Sequence, residues 1–173
     1  MIELLRADAL TRLADRDPDA TPGFDGGKAA GQEALAAGVE HLSTLQERLF
    51  AASTAGERRR VLLVLQGMDS AGKGGIVRHV VGAVDPQGVH LATFKRPTAH
   101  ELSHHFLWRI ERELPPVGRI GVFDRSHYED VLIGRVRQLA PADEIEQRYA
   151  DIVEFEQRLA RTGITVVKVM LHI

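Results

Sequence analysis

The sequence predicts an α/β fold of three layers with a mostly parallel sheet, preceded by an N-terminal helical segment. Three observations carry this. Short apolar runs recur, the wholly apolar Val61–Leu65 and the largely apolar Ile164–Leu171 among them, as strands buried on both faces require. Stretches with apolar residues at spacings of three and four alternate with these runs. A glycine-rich turn, Gly67-Met68-Asp69-Ser70-Ala71-Gly72-Lys73-Gly74, joins the first run to a helical pattern.

At 173 residues the chain is one domain by length, large enough to bury a core. It has no cysteine, which excludes disulfides, thiolate zinc sites and a cysteine nucleophile. No apolar run approaches the roughly 18 residues of a membrane span. The N-terminus, MIELLRADALTRLADRD, lacks the continuous apolar stretch of a signal peptide. The expectation is a cytoplasmic protein without membrane contact. The net charge of −2 by itself argues against a simple polyanion binder, and nucleic acid is not expected as a partner. Charge is uneven, however: residues 67–137 hold ten Lys/Arg against eight Asp/Glu, while both flanks are acidic by two. Of the 22 cations 18 are Arg, the residue shaped for bidentate phosphate contact. Outside a motif, most single charges are ordinary solvated surface.

In chain order, residues 15–31 are rich in Asp, Gly and Pro and read as a loop. A helix follows, with Leu35, Val39, Leu42, Leu45 and Leu49 on one stripe, ended by Gly56 and the basic run Arg58–Arg60. Residues 1–57 are thus expected to be an extension and 58–173 the core. Val61–Leu65 is the first strand. The helix after the glycine-rich turn carries Ile76, Val77, Val80 and Val81. Val89–Phe94 reads as the second strand, and one helix then bears Leu102, Phe106, Leu107 and Ile110 until Pro115 and Pro116 break it. Arg119–Phe123 is the third strand, ending at Asp124. Val131–Val136 is helical, and Ile145, Tyr149, Ile152, Phe155 and Leu159 mark one face of a further helix. Ile164–Leu171 is the fourth strand. The chain stops at Ile173 without a helix to cover that strand, so a fragment or a natural truncation, with an incomplete C-terminal side, is expected.

The glycine-rich turn matches G-x-x-x-x-G-K in the strand–turn–helix context the motif demands. Gly67, Ser70, Ala71, Gly72, Gly74 and Gly75 would present backbone N–H groups to a phosphate. Lys73 supplies a full cation. Gly74 stands where such loops carry the Ser or Thr that binds Mg²⁺, so another oxygen must replace that hydroxyl; Asp69 is placed to do so, or else it only shapes the turn. Asp124, closing a strand, suits the second carboxylate of a metal site, although many strands end in a turn-forming Asp. Arg125 either holds phosphate or pairs with Glu129 or Asp130. Arg135 and Arg137 lie further along the next helix. Lys95, Arg96 and, more weakly, Arg109 are further cations at the same end. His100, His104 and His105 lack a second ligand set, so a polar helix face outweighs zinc; Trp108 reads as packing.

These residues resemble a known family. GMDSAGKGG, DPQGVHLATFKRPT, HHFLWRIERELPPVGRIGVFDRSHYEDVLIGRV and VVKVMLHI resemble polyphosphate kinase family 2, from about Leu42 to Ile173 and most densely between 61 and 137. That family accepts Gly74 in place of Ser or Thr. The resemblance implies a P-loop kinase-like fold, Mg²⁺ as cofactor, and phosphoryl transfer between inorganic polyphosphate and a nucleoside mono- or diphosphate; apolar surface left open at the uncovered fourth strand is expected to favour a homo-oligomer. It implies Asp69 as the catalytic, metal-linked carboxylate, Lys73 as the phosphate grip and Asp124 as the second acidic residue. Arg125 and Arg135 become polyphosphate or nucleotide contacts. An arginine-bearing lid is expected beyond the residues given. The rival readings are an ATP-dependent nucleoside-monophosphate kinase, a nucleotide-binding switch (against which stands the lack of an Asn-Lys-x-Asp stretch), and a binding-only remnant.

Overall fold

A computed structural model describes residues 2–173. Its strands are β1 (Arg60–Gly67), β2 (Val89–Thr93), β3 (Ile120–Asp124) and β4 (Ile164–Leu171). They form one sheet in the order β2-β3-β1-β4, and every neighbouring pair is parallel. The helices are α1 (Ile2–Leu5), α2 (Lys28–Thr54), α3 (Lys73–His79), α4 (Ala99–Leu102), α5 (Trp108–Arg112), α6 (Glu129–Val136) and α7 (Ala142–Arg161).

The period-2 alternation of β1 fixes the layers. Leu62 and Val64 join Phe94, Ile110, Phe123, Val131, Ile152 and Phe155 on one face, beneath α5, α6 and α7. Leu63 and Leu65 meet Ile76, Val77, Val81 and Val122 on the other, beneath α3. Phe94 and Phe123 meet edge to face, with centroids 4.9 Å apart. Burying a side chain such as Phe123 contributes about 1.5–3 kcal/mol. The connection from β1 through α3 runs past β3 to β2 on one face. The connection from β3 through α6 and α7 runs past β1 to β4 on the other. The winding reverses between β1 and β3, and in open α/β sheets ligands bind at that reversal, outside the strand C-termini.

α2 docks at the opposite end of the sheet. Its one buried residue is Gln46, packed where Gly88 enters β2; a Cβ on Gly88 would lie 1.4 Å from Gln46 Nε2. Gly118, just before β3, packs likewise on Ser53. Val39, Leu42 and Leu49 are partly buried, whereas Leu35 and Leu45 face solvent, contrary to the expected stripe. The helix meets the core mainly through its C-terminal half, along the line of Gln46 and Ser53.

The single helix expected through Leu102–Ile110 is two short ones. Thr98 and Glu101 form a reciprocal capping box that starts α4. Ser103 Oγ then donates to the His100 carbonyl at 2.7 Å, and His104 Nδ1 lies 2.9 Å from the same oxygen. Side chains thereby take a carbonyl the next turn needs, and the helix restarts at Trp108, on which the His104 ring stacks. Among the described residues no helix is long and apolar enough to cross a membrane.

Candidate active site

β1 delivers Gly67 to the end of the sheet beside Leu171 of β4. A Cβ on Gly67 would sit 2.9 Å from the Leu171 carbonyl oxygen and 3.3 Å from Ala71 Cβ, so only glycine fits this close approach. The loop then turns through Ser70 at φ +70° and Gly72 at φ +99°. Gly72 caps α3 without a side chain, which leaves the Lys73 and Gly74 N–H groups free for a ligand, while those of Gly75 and Ile76 donate to the Gly72 carbonyl. Lys73 is buried, and its ammonium donates to the carbonyls of Gly67 at 2.7 Å and Met68 at 2.8 Å. A Cβ on Gly74 or Gly75 would meet nothing within 4 Å, so the space before the loop is open.

β3 brings the acidic partner. Asp124 lies in register with Leu65 of β1 and Thr93 of β2. Its Oδ1 is buried and has no hydrogen-bond partner. A carboxylate oxygen so placed is costly unless a ligand satisfies it. Arg125 follows at φ +64°, a left-handed conformation that costs a non-glycine residue on the order of 1 kcal/mol. Its amide donates to the Leu65 carbonyl at 3.1 Å. Its Nη2 donates to Asp69 Oδ1 at 2.5 Å, bridging β3 to the loop. Asp69, Ser70, Gly72, Lys73, Asp124 and Arg125 line one cleft of about 420 Å³, which Gly74 and Lys95 also border. Gly67, Ala71 and Gly75 belong to the same turn. Mg²⁺ typically takes one or two protein carboxylates and completes its shell with water and phosphate oxygens. The orphaned Asp124 oxygen, with Asp69 across the same cleft, fits that requirement.

Two expected cations are placed differently. Arg135 does not line the cleft; its Nη2 pairs with Glu146 Oε1 on α7 at 3.2 Å. It stands six residues beyond Glu129, about 9 Å along the α6 axis from the start of that helix. Arg109 is buried, donating to the Lys95 carbonyl at 2.8 Å and to Asp130 Oδ2 at 3.3 Å, so it braces the chain leaving β2. Burial pushes the Asp130 carboxyl up, against the pull of Arg109 and Arg148.

A polar network behind Arg125 was not legible as such in the sequence. Ser126 and His127 are fully buried. Gln66 Nε2 donates to Glu129 Oε1 at 2.5 Å, and Ser126 Oγ to Gln66 Oε1 at 3.4 Å. Glu156 of α7 accepts from the Tyr128 hydroxyl at 2.7 Å and from Lys168 Nζ at 2.8 Å, with His127 Nε2 at 3.4 Å. Burial pushes the Glu156 carboxyl up, but hydrogen bonds from His127, Lys168 and Tyr128 outweigh it and hold the group at about 2. Burial, then the bond to Glu156, raises the Tyr128 phenol to about 12. The signal available was positional: Glu156 occupies the apolar face of α7 at the spacing of Ile152, Phe155 and Leu159, and Lys168 is the sole charge in β4.

Residues 27–173 match the family model described as Polyphosphate kinase 2. The chain belongs to the polyphosphate kinase 2 family. It is 44% identical over 169 residues to the AMP/ADP-polyphosphate phosphotransferase of Meiothermus ruber, covering 98% of this chain and 62% of that one. It is 45% identical over 153 residues to the ADP-polyphosphate phosphotransferase of Rhodopseudomonas palustris, covering 82% and 52%. The crystal structure of polyphosphate kinase 2 from Arthrobacter aurescens TC1 superposes with a TM-score of 0.96 at 57% identity, over 99% of this chain and 61% of that one. The chain thus spans between 52% and 62% of the length of these family members. The fold is the P-loop kinase-like one that polyphosphate kinase 2 structures share.

Proposed function

We propose that this polyphosphate kinase 2 family member moves a phosphoryl group between inorganic polyphosphate and a nucleoside mono- or diphosphate, with Mg²⁺ as cofactor. The observation that carries the reading is the buried, unpartnered Asp124 oxygen in one cleft with Lys73 and Arg125. The names of the relatives point to the same pair of substrates.

The loop from Gly67 to Gly75 cradles phosphate oxygens with its unpaired backbone N–H groups, those of Lys73 and Gly74 among them; the Ala71 and Gly75 amides already donate to the Met68 and Gly72 carbonyls. Lys73 turns its ammonium from the Gly67 and Met68 carbonyls to a phosphate oxygen, and Arg125 offers its guanidinium fork. Asp124 and Asp69 would hold Mg²⁺, which when bound neutralises phosphate oxygens and aligns them. An oxygen of the acceptor's terminal phosphate attacks the end phosphorus of the polyphosphate. The bond from that phosphorus to the bridging oxygen breaks, and the shortened chain leaves with the electron pair. The acceptor oxygen is already ionised near pH 7, so no side chain need act as base or nucleophile.

The same reading places the protein in the cytoplasm, with its nucleotide acceptors, and as a homo-oligomer. Exposed Leu45 and Phe50 on α2, and Val167 and Met170 on β4, supply apolar surface for self-association. The deciding assay offers ADP, long-chain polyphosphate and Mg²⁺ and measures ATP; a parallel arm offers AMP and ATP. ATP formation in the first arm is expected. Transfer in the second arm alone would make this an ATP-dependent monophosphate kinase.

A further inference from the structure

Every charged group facing the cleft from the loop and β3, apart from Asp124, already has a partner within the protein. Lys73 is held by the Gly67 and Met68 carbonyls. Arg125 Nη2 and Asp69 Oδ1 are 2.5 Å apart. The Asp69 side chain is 84% exposed and that of Arg125 38%, so solvent and ligand both reach this pair. In the reading above the two groups have different destinations, Asp69 to a cation and Arg125 to a phosphate. The N–H that Nη2 donates to Asp69 is not available to a phosphate while that bond stands.

We propose that the Asp69–Arg125 ion pair is a latch: phosphate takes Arg125 only by releasing Asp69, so anion capture creates the carboxylate that the cation needs. The inference rests on the proposed phosphate-transfer reading of this cleft. It differs from a bridging role, in which Asp69 would orient Arg125 and keep it through phosphate binding. The two ideas predict opposite signs. As a latch, Asp69 competes with phosphate for Arg125, and its loss helps most when Arg125 is present. As a bridge, Asp69 prepares Arg125, and its loss helps least when Arg125 is present. Arg125 is well suited to exchange partners, because its backbone is fixed at φ +64° by the Leu65 carbonyl and buried Ser126, leaving the side chain to swing from a firm base.

The test is a double-mutant cycle on binding, read without turnover. Tripolyphosphate affinity is measured by calorimetry in metal-free buffer for the wild type, Asp69→Asn, Arg125→Gln and the double variant. Removing one carboxylate lessens repulsion of the anion in both backgrounds, and the cycle subtracts that common part. Asp69→Asn is expected to tighten binding more with Arg125 present than in the Arg125→Gln background, by a further factor of about 1.5 to 5, the range of an exposed ion pair. An equal or smaller gain with Arg125 present overturns the latch in favour of a bridge or of independence, while leaving the phosphate site intact. Arg125→Gln without effect on wild-type binding also overturns it. Tripolyphosphate binding by no variant, with or without Mg²⁺, removes the phosphate site itself and the latch with it.

Discussion

The ammonium of Lys73 donates to the carbonyl oxygen of Gly67 at 2.7 Å, so the loop's cation is turned onto its own backbone. Phosphate must draw it away, and a full charge released into a partly dry cleft is worth more than one in water. Lys73→Ala is expected to lower turnover at least about a hundredfold. Steady-state assay of the folded variant checks this; near-normal rates would take the loop out of the mechanism.

Asp124 carries the unsatisfied oxygen. Asp124→Asn removes a charge from a place where it has no hydrogen-bond partner, so stability in metal-free buffer should not fall. Ligand-linked stabilisation should fall instead. At a hundredfold excess over Kd, Mg²⁺ with tripolyphosphate stabilises a site by about 2.7 kcal/mol, or about 5–10 °C in Tm for a chain this size. Wild type should show that rise and Asp124→Asn little of it. Equal rises in both proteins would mean that Asp124 does not hold the cation.

Glu156 gives a pH signature. Its folded value lies near 2, below the usual 4.5, so its contribution is fully present above pH 4.5 and is lost as pH falls toward 2. The shift corresponds to about 3 kcal/mol. Urea midpoints of wild type and Glu156→Gln should therefore differ by a constant amount from pH 5 to 7 and converge below pH 4.5. A gap that stays the same down to pH 3 would assign the loss to packing rather than to the carboxylate.

Gly74→Ser restores the hydroxyl that most loops of this kind carry. A Cβ there meets nothing within 4 Å, and the position is helical with no positive φ. Replacing this helical glycine by serine should raise stability by about 0.5 kcal/mol. The Mg²⁺ concentration for half-maximal rate should drop a few-fold. A destabilised variant would show that the space before the loop is narrower than it looks.

Local pattern made the strands and the loop legible, because their residues carry the information in place. Val61–Leu65 is the buried interior strand its pattern predicts and Gly67 to Lys73 is a contiguous motif, whereas Ile164–Leu171, read as buried, is an edge strand with Val167 and Met170 exposed, because strand order is not written in a local run. Polar side chains bonding nearby carbonyls defeated the pattern at Ser103, where apolar spacing suggested an unbroken helix. Direction defeated it at Arg135: sequence distance from Asp124 is short, but α6 carries the residue away toward Glu146. Pairings across the fold stayed hidden, since nothing local links Gln66 to Glu129 or His127 to Glu156. Asp69 and Arg125 could each be picked out singly; their contact across 56 positions could not.

The strand order carries a consequence for synthesis. β1 is an interior strand, yet both its neighbours come later in the chain, β3 ending at Asp124 and β4 at Leu171. As the chain leaves the ribosome, this interior strand and the glycine-rich loop attached to it therefore have at first no partner on either side. At roughly 5–20 residues per second, the 104 positions between Gly67 and Leu171 correspond to roughly 5–20 s of waiting. β3, complete at Asp124, covers one edge of Val61–Leu65 part-way through that interval, and the other edge stays open until β4 has emerged.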